Sequence, residues 1–120
     1  MPEYRLAEAE TRFAELVWQN EPIPSGALVR LCAEALGWKK STTYTVLSRL
    51  CERGLFQNKD GVVTSLVSRG ELDAARSEEF VAHTFGGSLP RFFAAFTGRR
   101  KLSPEEADEL RRMIDEAEAR

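Results

Sequence analysis

The sequence is poor in the residues that build metal centres and disulfide frameworks. Of its 120 residues, two are cysteines and one is a histidine. Cys32 and Cys51 do not have CxxC spacing, and His83 alone does not make a multi-histidine site. We therefore expect no metal and no cofactor. Both thiols are expected in the core, and His83 is expected on a helix surface or at an interface.

Long apolar runs are missing as well. No segment approaches the roughly 20 apolar residues that a membrane-spanning helix needs, and the first residues lack the pattern of a secretory signal. The sequence also has no glycine-rich nucleophile elbow and no clustered acid–base pair. These absences argue against a membrane protein and an enzyme, and they predict a cytoplasmic location.

The charge is unevenly distributed along the chain. The net charge of −2 counts mildly against nucleic-acid binding. Between Trp38 and Lys59, however, Glu52 is the only acid. The basic residues of this segment are Lys39, Lys40, Arg49, Arg53 and Lys59. A basic surface on an acidic protein is compatible with DNA binding.

The order of the predicted elements is that of a winged helix. Predicted helices cover about residues 7–19, 26–36 and 41–53, and predicted strands cover about residues 55–59 and 62–67. Ser25 is the predicted N-cap of the second helix, and Ile23 is expected in a very short strand. Asp60-Gly61, between the two strands, is typical of a two-residue hairpin turn.

The predicted third helix has a polar face. Ser41, Thr45, Ser48, Arg49 and Glu52 follow the spacing of one helical stripe. The second helix of a helix-turn-helix enters the major groove, where small hydroxyl groups and arginine suit contacts with phosphates and base edges. An isolated polar face of this kind is usually only solvated, but the hairpin predicted directly after it favours DNA contact.

The predicted DNA-contacting set joins this face to the basic residues around it. It comprises Lys39, Lys40, Ser41, Thr42, Tyr44, Thr45, Arg49 and Lys59. The alternative is a winged-helix module for protein–protein interaction that binds no DNA, for which an acidic net charge would be natural. The basic residues of the third helix and Lys59 favour DNA binding over this alternative.

The last part of the chain is rich in aromatic residues and returns to helical spacing. Ser103, Pro104 and Glu106 have the pattern of an N-cap, a first helical residue and a capping box. We predict a homodimer interface here, because short helices have too few partners within one chain; a small local core is the alternative. The predicted interface residues are Phe80, Phe85, Phe92, Phe93, Leu110, Met113 and Ile114.

The predicted fold class is mainly α with a small β-hairpin. A winged helix-turn-helix for DNA binding is expected over residues 1–69, and a helical dimerisation arm over residues 70–120. Two-fold symmetry predicts that the partner, double-stranded DNA, carries a pseudo-palindromic operator.

Two motifs resemble the BlaI/MecI/CopY family of penicillinase and methicillin-resistance repressors. The first matches the family's pattern at Trp38, Thr42, Thr45, Leu47, Arg49 and Leu50. The second is the run Leu-Ser-Pro-Glu-Glu-Ala-Asp-Glu-Leu that begins at Leu102 and resembles the start of the family's last helix. The resemblance extends from about Leu6 to the end. Ser41 and Lys40 depart from it, since the family often has lysine and proline there.

The resemblance implies a repressor of β-lactam-resistance genes. It also implies relief of repression by proteolysis under the control of a membrane sensor protease. The family's scissile Asn-Phe pair corresponds to Ala95-Phe96 here, with alanine in place of asparagine. The copper-responsive branch is disfavoured, because its late cysteine motif has no counterpart after Cys51.

Overall fold

A computed structural model describes residues 4–120 and confirms the predicted fold class. The elements are α1 (Glu8–Asn20), β1 (Ile23–Pro24), α2 (Ser25–Leu36), α3 (Lys40–Glu52), β2 (Phe56–Lys59), β3 (Val62–Ser65), α4 (Arg69–Thr84), α5 (Leu89–Thr97) and α6 (Pro104–Glu118). None of the helices described is long and apolar enough to span a bilayer. The chain forms two compact units, one ending at Glu78 and the other beginning at Glu79.

The core of the first unit is built by the apolar faces of its first three helices and the sheet. Its buried residues include Phe13, Val17, Leu28, Cys32, Val46, Leu47, Leu50, Phe56 and Val63. Phe13 lies at the centre, stacked on Trp38 with 5.8 Å between ring centroids and edge-on to Phe56 at 6.2 Å. The buried residues of each helix recur at helical spacing, and their burial positions α3 against α2.

The wing is the hairpin of β2 and β3, extended by β1 into a three-stranded antiparallel sheet of order β1-β3-β2. Ile23 pairs with Val63, which confirms the short strand predicted there. Asp60 and Gly61 turn the hairpin with φ values of 53° and 78°. Positive φ at both residues is the type I′ geometry that matches strand twist.

One predicted helix cap is wrong. Pro24, not Ser25, is the N-cap of α2, and Ser25 is the first helical residue. The Ser25 N–H donates to the carbonyl of Gly61 at 2.8 Å, and its Oγ accepts from the Tyr44 hydroxyl at 3.2 Å. The amide and the hydroxyl of Ser25 are therefore hydrogen-bonded to the wing and to α3, and the hydroxyl does not cap α2.

The first turn of α4 belongs to the first unit. The Trp18 indole donates to the carbonyl of Val67 at 3.0 Å, and Arg69 pairs with Glu15 at 2.7 Å. Leu72 is buried in the core of this unit. Arg69 is the first residue of α4, so the predicted boundary at residues 69/70 lies within the first turn of this helix. The two compact units divide further along the same helix, between Glu78 and Glu79.

The second unit contains the end of α4 with α5 and α6. Phe80, Phe85 and Phe92 meet edge to face, with ring centroids 5.5 to 6.1 Å apart. The start of α6 confirms the predicted capping box, because Ser103 Oγ accepts from the Glu106 N–H at 3.0 Å and the Glu106 carboxylate accepts from the Ser103 N–H at 3.3 Å. No residue of α5 or α6 is buried.

Candidate nucleic-acid interface

The polar stripe of α3 faces solvent. Ser41, Thr42, Thr45, Ser48 and Arg49 are exposed, and the buried residues of the helix alternate with them. This division follows from the turn of 100° per residue, which separates the two stripes around one helix. After Lys40, the N-terminal half of the exposed face carries only small hydroxyl side chains, so a ligand surface can approach the helix backbone closely.

Positive charge lies at the start of α3 and at the wing. Lys39 is the N-cap and Lys40 the first residue of α3, and both are exposed. The Lys39 side chain makes no capping hydrogen bond, so no side chain caps the first amides of α3, where the helix dipole is positive. Lys59 ends β2 beside the wing turn and is also exposed. Such positions favour anionic groups.

Tyr44 differs from the other predicted contact residues because it is half-buried. Its hydroxyl donates to Ser25 Oγ in the first turn of α2. This hydrogen bond connects the two helices of the helix-turn-helix near the wing. Tyr44 therefore helps to orient α3 on the rest of the unit.

Sequence reasoning missed the carboxylate that organises the basic part of this face. Glu10, in the first turn of α1, accepts hydrogen bonds from the Ala7 N–H at 2.9 Å, from Arg53 at 3.3 Å and from Arg49 at 3.4 Å. Its side chain is 8% exposed, against 51% for Arg49. Arg53 also donates to the carbonyl of Arg5 at 2.9 Å.

The environment of Glu10 keeps it ionised. Burial alone would raise the pKa of this carboxyl group, but the Ala7 amide and the guanidinium groups of Arg49 and Arg53 outweigh burial and lower the pKa below its usual value. The only sequence signal was a glutamate three residues after Ala7, the N-cap of α1, and this spacing ordinarily indicates no more than a helix cap.

A groove of about 710 Å³ lies between the start of α1 and the exposed face of α3. Its lining includes the hydroxyl residues Ser41, Thr42 and Thr45 together with Glu10 and Arg49. Polar donors and a buried acceptor thus line one continuous surface. Among residues 4–120 no group of three or more His, Cys, Asp or Glu side chains is placed to hold a metal ion.

Comparison with known proteins identifies the family. The family model of the penicillinase repressor matches residues 6–116. The chain belongs to the penicillinase repressor family. Over 116 residues it is 24% identical to a penicillinase repressor of Bacillus licheniformis, covering 93% of this chain and 91% of that protein. It is 22% identical to the methicillin resistance regulatory proteins MecI of Staphylococcus aureus and Mammaliicoccus sciuri, covering 93% of this chain and 94% of each.

The penicillinase repressor family is a family of DNA-binding transcriptional repressors. The second unit of this chain exposes a large apolar surface. Met113 and Ile114 are 55% and 61% exposed, and Phe80 and Phe93 are about half exposed. The other predicted interface residues, Phe85, Phe92 and Leu110, are partly buried. An open groove of about 350 Å³ between α5 and α6 is lined mainly by apolar side chains, including Phe93 and Met113.

The predicted cleavage pair, Ala95-Phe96, lies near the end of α5. Ala95 and Phe96 are both exposed, and the helix ends at Thr97. The guanidinium of Arg100 lies 5.4 Å from the centroid of the Phe96 ring and is bonded to Glu106 at 2.7 Å. The basic run at residues 99–101 is thus partly engaged in local structure.

Proposed function

We propose that this chain is a homodimeric transcriptional repressor that binds a pseudo-palindromic operator through α3 and the wing. The observation that carries the proposal is the exposed hydroxyl stripe in the N-terminal half of α3, flanked by exposed lysines. A helix with this face fits the major groove, where Thr42 and Thr45 contact base edges or phosphates and a threonine methyl can meet thymine.

The surrounding side chains supply the contacts that hold the protein on the duplex. Lys39, Lys40 and Lys59 are placed to contact phosphates, and Arg49 to contact a phosphate or a guanine. Ser41 lies on the same exposed face, and Tyr44 orients α3. In this proposal residues 1–69 bind DNA and residues 70–120 dimerise.

The apolar surface of the second unit supports dimerisation. Its helices α5 and α6 bury no residue within one chain, and large apolar side chains, including Met113 and Ile114, remain exposed. A second copy of the same surface would cover them, and a two-fold axis would place two α3 helices on successive turns of DNA.

The relatives suggest what such a repressor controls. One is named a penicillinase repressor and others methicillin resistance regulatory proteins, so we propose β-lactam-resistance genes as targets. Cleavage of the bond between Ala95 and Phe96 by a membrane sensor protease would relieve repression of these genes. Exposure of both residues near a helix end supports access to this bond.

Operator binding is tested with the full-length protein and two labelled duplexes. The first is enriched by the protein from a random-sequence library, and the second is a scrambled duplex of the same length and composition. We expect tighter binding to the enriched duplex and a steep loss of affinity with salt, about 0.9 log units per log unit of salt for each phosphate contact. Failure to enrich any duplex, with a flat salt response, would favour a protein-interaction module instead.

A further inference from the structure

Among residues 4–120, Glu10 is the only charged residue that is buried, and it lies where the proposed DNA-binding surface needs positive charge. A carboxylate removed from water is unfavourable unless charged donors compensate for it. Here the compensating donors include Arg49, on the exposed face of α3, and Arg53, one turn later. The same carboxylate also accepts from the amide of Ala7, which fixes it relative to α1.

We propose that Glu10 is a positioning residue that sets the DNA specificity of the repressor by holding the guanidinium of Arg49 in one orientation. This inference rests on the proposed function, because it assumes that α3 contacts DNA. The guanidinium has five N–H donors, and one of its nitrogens is bonded to Glu10. The side chain is half exposed, so it has donors that can reach a phosphate or a base edge.

Whereas the position of Glu10 supports binding to the operator, its negative charge lowers the affinity for DNA of any other sequence. Contacts to any phosphate depend on the positive charge of the surface and not on its geometry. Glu10 offsets part of the charge of Arg49 and Arg53 and restricts where Arg49 can reach. It therefore lowers affinity for arbitrary DNA while it preserves the contact geometry that distinguishes the operator, because fixed contacts determine register on the duplex.

The first test is Glu10→Gln in the full-length protein, measured on the enriched and scrambled duplexes described above. Glutamine keeps the size of the side chain and removes its charge. We expect the ratio of the two affinities to fall at least about tenfold, the scale of one charge-assisted hydrogen bond. Affinity for the scrambled duplex should rise about twofold or more. A purely structural role would lower both affinities together, through the folded fraction.

Glu8→Gln is the matched control. Glu8 lies in the same first turn of α1, is exposed, and carries the same charge. Its removal should leave the affinity ratio within about twofold of the unmodified protein. An equal fall of the ratio in both variants would show a general charge effect and would overturn the proposal.

A double-mutant cycle with Arg49→Ala tests whether Glu10 acts through Arg49. In the Arg49→Ala background, adding Glu10→Gln should not change the affinity ratio further, because the oriented group is gone. A further fall of the ratio there would assign the effect to another contact and overturn the proposal. If Glu10→Gln does not fold, as judged by circular dichroism, Glu10→Asp serves instead. It keeps the charge but shortens the reach, so the ratio should fall without a rise in scrambled-duplex affinity.

The outcomes separate the two proposals. If the unmodified protein does not distinguish the duplexes, the proposed function fails and this inference fails with it. If the unmodified protein distinguishes them and both Glu10 variants retain its affinity ratio, only the role of Glu10 is refuted.

Discussion

At the scale of single residues, the placement of Glu10 couples the stability of the first unit to its proposed binding surface. The carboxylate joins the first turn of α1 to two arginines of α3 or its C-cap, which lie 39 and 43 residues further along the chain. Sequence spacing cannot reveal such a pair, because only the packed core brings the two segments together. The small exposed hydroxyls of α3, in contrast, followed directly from helical periodicity.

The pH dependence of stability should report on this carboxylate. Because the pKa of Glu10 is lowered in the folded protein, its stabilisation is fully present above the unfolded glutamate pKa of about 4.3. It is lost as the pH falls through the lower folded-state value. Glu10→Gln should therefore be less stable than the unmodified protein at pH 7, and this difference should shrink towards acid pH.

Urea unfolding of both proteins between about pH 7 and pH 3 measures the effect. Glu8→Gln, which alters an exposed carboxylate of the same turn, supplies the control. A stability difference between Glu10→Gln and the unmodified protein that stayed constant over the whole range would contradict a paired, ionised Glu10.

At the scale of elements, the success of each prediction depended on how local its signal was. The hairpin turn at Asp60-Gly61 and the capping box of α6 were predicted because two to four adjacent residues determine them. The cap of α2 was wrong because Ser25 is bonded to Tyr44 and Gly61, which are distant in sequence. The boundaries of α3 differed by one residue at each end.

We predict that Lys59 of the wing contacts a DNA phosphate. Lys59 ends β2 beside the turn and is exposed, so Lys59→Ala should remove one phosphate contact per protomer without disturbing the core. The slope of log affinity against log salt should become shallower by about 0.9 for each protomer. Lys101→Ala, which removes an exposed lysine between α5 and α6, should leave the slope unchanged. An unaltered slope in Lys59→Ala would exclude the wing tip from the interface.

At the scale of the whole molecule, the two units differ in how they are stabilised. The first unit has a buried core of its own, whereas α5 and α6 in the second bury no residue. A surface with this many exposed apolar side chains is typical of a permanent interface. In the proposed dimer, DNA affinity and dimerisation would be linked, because binding of one protomer to its half-site would give α3 and the wing of the other protomer a high effective concentration.

The dimer prediction is tested by placing a charge on this surface. Ile114→Glu should convert the dimer to a monomer, because a desolvated carboxylate has no partner in an apolar interface. Analytical ultracentrifugation at micromolar concentration measures the change. Arg112→Glu, also exposed but on a different face of α6, should remain dimeric. An unmodified protein that sediments as a monomer would refute the prediction outright.

The last prediction concerns relief of repression by cleavage. A cut between Ala95 and Phe96 would detach α6 with Met113 and Ile114, which are large exposed apolar residues of the proposed interface. Loss of the dimer would remove the effective concentration of the second half-site, so operator affinity should fall by at least about 100-fold. The bond lies in the last turn of α5, where helix ends fray and a protease can gain an extended segment.

Mass spectrometry of the repressor from producing cells exposed to a β-lactam tests this mechanism. We expect a fragment that ends at Ala95 to accumulate as the target genes switch on. Ala95→Asn, which introduces the asparagine that the family resemblance implies at this position, should accelerate cleavage, while Ala94→Asn, one residue earlier on the same exposed helix, should not. An intact chain in cells whose target genes are fully expressed would refute proteolytic relief and leave the DNA-binding proposal standing, since α3 and the wing lie outside the fragment removed.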